Sequence, residues 1–109
     1  MNSDFTSDEP SREKILEYID RGLDAFGANV RMVLYWKMEK DLNLRREDIP
    51  EKPESFTKAI ENFFGAGSRI VERTLIKELK QCPGIKTLPA DNLADAITDM
   101  RKRLQTYGE

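Results

Sequence analysis

The sequence contains no histidine and one cysteine, Cys82. Without histidine there is no Ser-His or Cys-His nucleophile pair and no HExxH metal site, and the commonest general base is missing. A single cysteine closes no internal disulfide, and one thiol without histidine builds no structural zinc site. No apolar run approaches the ~20 residues of a membrane span. The N-terminus, MNSDFTSDEP, lacks the basic-then-apolar layout of a signal peptide. These absences point to a cytoplasmic protein with no membrane partner. The net charge of -2 likewise excludes a bulk electrostatic pull toward nucleic acid. A local basic patch is still open.

What is present is a chain of 109 residues, 39% hydrophobic and 35% charged, the make-up of one folded, well-solvated domain. Residues 1–10 read as an acidic leader closed by Pro10, and residues 11–109 as a single all-α domain of about five helices. Ser11 is the expected N-cap of a first helix, in which Ile15, Leu16, Ile19, Leu23 and Phe26 share one face and Gly27 is the stop. A second helix runs through NVRMVLYWKMEKDL. Val30, Leu34 and Met38 lie on one side of it, with Met32 and Trp36 nearly opposite. A helix apolar nearly all round needs cover on more than one side, so this helix is expected to be central.

Pro50 and Pro53 mark a linker, from which Leu44 and Ile49 are expected to turn back onto the core. PESFTKAIENFF gives an uninterrupted helical stripe with Pro53 in its first turn. A fourth helix, the second expected to be central, spans about 68–81, with Val71, Leu75 and Leu79 as its apolar row. Arg69, Arg73, Lys77 and Lys80 form a basic stripe on its other side. A fifth covers about 91–106, with Leu93, Ala96, Ile97, Met100 and Leu104 inward.

Three features compete for function. The stretch FFGAGSR lacks the lysine of a phosphate loop and follows a helix rather than a strand, so its glycines read first as a helix–helix joint. Gly67, Ser68, Arg69 and Arg73 are nonetheless the residues best placed to hold an anion, at a helix N-terminus flanked by guanidiniums. A helix, a glycine turn and the basic stripe together resemble a helix-turn-helix, although Glu72 and Glu78 dilute the stripe. Met32, Tyr35 and Trp36 on the second helix form a candidate interface with a second copy or a signalling partner. Glu72, inside the apolar arc of the fourth helix, is a candidate buried acid. Asp91, Asp95 and Asp99 spread over three turns and cannot converge on one metal ion. No cofactor motif is present, and no residue is assigned to catalysis or to a metal.

The stretches ILEYIDRGLDAFG, VLYWKMEKDLNLRREDIPEKPESFTKAI and FFGAGSRIVE together resemble the archaeal Nitrosopumilus output domain family. The resemblance covers about residues 12–80; the leader and the end RKRLQTYGE lie outside it. It implies a small helical archaeal domain with an output or interaction role in signalling, and it transfers no catalytic residue. A fused sensor is not expected, so the signal would come from another protein. The expected function is therefore a non-catalytic, self-associating interaction module. A DNA-binding regulator using the basic helix face is the alternative, and a small enzyme or ligand binder is third.

Overall fold

The computed structural model describes the backbone of residues 3–89 and 91–107, and the side chains of residues 10–89 and 91–105. Of the leader expected over residues 1–10, residues 1 and 2 and the side chains up to residue 9 lie outside the described residues. Five α-helices follow in order: α1 (Ser3–Asp24), α2 (Ala28–Leu42), α3 (Pro53–Phe64), α4 (Ser68–Leu79) and α5 (Leu93–Tyr107). Short 3-10 turns at Arg46–Asp48 and Gly65–Gly67 precede α3 and α4, and no strand occurs among the described residues. The radius of gyration is 13.5 Å, close to the ~13 Å of a packed chain of about 100 residues.

The first helix starts earlier than its expected cap. Pro10 lies inside α1, and its ring holds φ near the helical value. Ser11 is thus a buried residue within the helix. Downstream, the helical periodicity holds. Ile15, Leu16, Ile19 and Leu23 are all buried, and Gly27 ends the turn after α1 at φ 117°. Asn43 closes α2 in the left-handed region, where its N–H donates to Glu39 O and that of Leu44 donates to Met38 O. This turn carries Leu44 back into the core, where Ile49 joins it as expected. The carboxamide oxygen of Asn92 accepts from the Asp95 N–H at 3.0 Å, so Asn92 caps α5.

The expectation that α2 is central is overturned. It packs on α1 and α3 only, apart from at most a marginal contact, whereas α4 packs on α1, α3 and α5. The reason lies in burial: Leu34 and Met38 supply one inward row, and Met32, Val33 and Trp36 stay in solvent. A helix apolar on two sides needs a neighbour for each, and this chain provides one side only. In the segment before α5, Ile85 and Leu88 are also buried.

The tightest helix contact is between α1 and α4. A Cβ added to Gly22 would lie 2.5 Å from Cδ2 of Leu75 and 3.5 Å from its Cα. Leu75 is fully buried, so in a close-packed interior its methyl moves only by displacing neighbours. Gly67 is the opposite case, because an added Cβ meets nothing and φ is -83°. The same substitution therefore has opposite effects at the two sites. Gly22→Ala lowers stability by about 1 kcal/mol, the overpacking cost exceeding the gain in helix propensity. Gly67→Ala raises it by about 0.5 kcal/mol. Urea unfolding of both variants checks the pair.

Candidate functional site

The glycine joint works as backbone geometry first. The N–H of Gly65 completes the last turn of α3 by donating to Glu61 O. Gly65 then takes φ 58° and ψ -124°, a conformation open to glycine and strained for other residues. The N–H of Ser68 donates to Gly65 O, so the 3-10 turn runs directly into α4. At least two N–H groups of the joint are thus committed within the chain.

An open cleft of ≈ 830 Å³ lies beside this joint. Ser68, Arg69 and Arg73 line it, as three of the four candidate anion-binding residues, and so does Glu72; Gly67 does not. Glu61 from α3 and Asp91 from the segment before α5 also reach it. Three carboxylates against two guanidiniums leave the cleft no positive excess, and an anion gains little there over solvent. Sequence spacing placed the arginines but not Glu61 or Asp91, which reach the cleft from other elements.

Glu72 is half-buried at the cleft wall rather than enclosed. Desolvation pushes its carboxyl above the usual range, with the nearby Glu61 charge adding to the rise and Arg69 opposing it. A raised folded-state value means that the charged form is disfavoured in the fold. That penalty is complete above the folded value and disappears as pH falls below the unfolded one.

On α2, Met32 and Trp36 are 62% and 59% exposed and Val33 is 45% exposed. The Lys40 ammonium sits 4.8 Å from the centroid of the Trp36 ring, one turn on. Tyr35 lines a shallow depression with Trp36 at the edge of this surface. It is half-buried against α1, and its hydroxyl donates to Asp20 Oδ1 at 2.5 Å. Arg46, in the 3-10 turn before α3, donates to Asp20 through Nε at 3.1 Å and through a terminal nitrogen at 2.8 Å. Arg31 Nε donates to Asp24 at 2.6 Å. Burial first, and then the bond to Asp20, hold the Tyr35 hydroxyl well above its ordinary value.

On α4, Arg69, Arg73, Lys77 and Lys80 are all exposed, and Ile70 beside them is 64% exposed. Cys82 is buried with its thiol pushed up, chiefly by desolvation, which makes it a poor nucleophile. Among the described residues no helix is long and apolar enough to cross a membrane, and no cluster of His, Cys, Asp and Glu is arranged to hold a metal ion.

Glu72→Gln is expected to raise stability at neutral pH. The advantage shrinks as pH falls through the carboxylate range and is absent once Glu72 is protonated in both states. Thermal unfolding from pH 3 to 8 measures this, and an advantage independent of pH would rule out the electrostatic cause. No family model, curated protein or solved structure matches the chain.

Proposed function

We propose that the protein is a non-catalytic interaction module that self-associates through the outward face of α2. The observation that carries this reading is Met32, Val33 and Trp36 standing in solvent on a helix at the flank of the bundle. Exposed tryptophan is disproportionately an interface anchor. These side chains cover less than the ~800 Å² per partner of a standard interface, so the polar flanks of α2 must contribute the rim. A two-fold contact centred on Trp36 with the helices antiparallel sets Lys40 against Met32 and Glu39 against Val33 of the second copy. No like charges meet in that arrangement, and the Lys40 ammonium stays beside apolar surface.

The absence of histidine and the buried, high-value thiol of Cys82 support a role without nucleophilic chemistry. The resemblance to the archaeal output domain family supports placing the module in cytoplasmic signalling, where a second copy or a sensor protein would occupy the α2 face.

Sedimentation velocity over a concentration series tests the reading. The weight-average sedimentation coefficient is expected to rise with concentration for the unmodified chain and to stay at the monomer value for Trp36→Glu. A strict monomer at millimolar loading would overturn self-association. Tyr35→Phe separates interface from fold: it loses about 1 kcal/mol of stability with its hydrogen bond to Asp20 and leaves the concentration dependence intact. In the unmodified chain, stability also falls as pH rises above the ordinary tyrosine range, because the unfolded chain then ionises Tyr35 while burial and Asp20 keep it protonated in the fold. Tyr35→Phe removes that alkaline loss.

A further inference from the structure

The basic edge of α4 is a second surface, independent of the α2 face. Arg69, Arg73, Lys77 and Lys80 follow at helical spacing along one exposed side, with Arg69 and Lys80 about 16 Å apart along the axis. None of the four lies within ion-pair distance of a carboxylate among the described residues. The two glutamates of α4, which in sequence interrupt the stripe, turn away from it. Glu72 goes to the cleft beside Glu61, and the Cγ of Glu78 lies against Gly22 of α1. Of the two, only Glu72 acts back on the row, through the charge of Arg69.

Like charges one turn apart repel, each pair by a few tenths of a kcal/mol. The fold holds four of them in line with no carboxylate in ion-pair distance, although Glu61, Glu72 and Asp91 share a cleft with Arg69 and Arg73. We propose that this edge is a docking surface for the phosphate backbone of a nucleic-acid duplex. A duplex carries one negative charge per ~1.7 Å of axis, so the length of this row faces several phosphates at once. The edge bears no aromatic ring on which an unpaired base would stack, as a single-strand binder needs. The sequence SRIVERTLIKEL also contains no asparagine or glutamine to pair with adenine edges. The proposal assigns its contacts to phosphate, which carries no base-sequence information. An acidic polypeptide fits less well, since Ile70 is the one large apolar side chain that accompanies the cations.

Fluorescence anisotropy of a labelled generic duplex, titrated with the full chain at several salt concentrations, tests the proposal. Four neutralised phosphates give a slope of log K against log salt of about -3.6. That is roughly a hundredfold weaker binding on going from 50 to 200 mM salt. In Arg73→Gln/Lys77→Gln the slope falls to about half, whereas Lys58→Gln/Lys86→Gln, with the same loss of charge elsewhere on the surface, leaves it unchanged. All four substitutions are at exposed positions, and far-UV circular dichroism checks that each variant folds. The proposal is overturned by no binding at low salt, or by an equal fall of slope in both variants. It is also overturned if a single strand or polyglutamate binds more tightly than the duplex.

Discussion

The close approach of α1 to α4 at Gly22 is the constraint on which the other contacts depend. With no Cβ at that position, Leu75 can lie against the backbone of α1 and be fully buried. Two helices that approach this closely exclude water from the row Ile15, Leu16, Ile19 and Leu23, and α5 closes the same core with Leu93, Ile97 and Met100. The approach also orients α4. Its apolar row faces α1, α3 and α5, Glu78 leans on Gly22, and the basic residues are left on the outer edge. The charge exposed along α4 is thus a consequence of packing geometry at a glycine.

A different interaction holds the flank. Asp20 accepts hydrogen bonds from Tyr35 of α2 and from Arg46 in the following 3-10 turn, so one carboxylate of α1 positions both. With Tyr35 bonded to Asp20 and Leu34 and Met38 buried, α2 carries Met32, Val33 and Trp36 outward. The partial burial of this cluster strengthens each bond relative to solvent. An interface reading of α2 and a structural reading of Tyr35 are therefore compatible, since its hydroxyl is committed to Asp20 while Met32, Val33 and Trp36 stay exposed.

Much of the fold was legible in the residues. The stripe from Phe56 to Phe64, the stop at Gly27, the return of Leu44 and Ile49 to the core and the inward row of α5 each follow from helical periodicity and local turn chemistry. The start of α1 was not, because proline is compatible with helical φ and a serine beside it reads as a cap whether or not a helix precedes it. The cleft was legible only in its α4 half. Arg69, Glu72 and Arg73 are neighbours in sequence, whereas Glu61 and Asp91 come from other elements and reverse the charge balance.

The sequence by itself determined most of the helical segments downstream of Pro10, which faces of those helices are apolar and that four cations share one side of α4, since these depend on spacing along a single helix. It also placed the glycines of the α3–α4 joint, where Gly65 requires positive φ. Only the tertiary structure decided which apolar faces found neighbours. Two faces of α2 have similar composition, and the one bearing Leu34 and Met38 is buried because Asp20 and α3 hold that side inward. The same holds for charge: whether Glu72 and Glu78 neutralise the basic row depends on where α1 and α3 lie beside α4, a relation between elements that no periodicity within one helix contains.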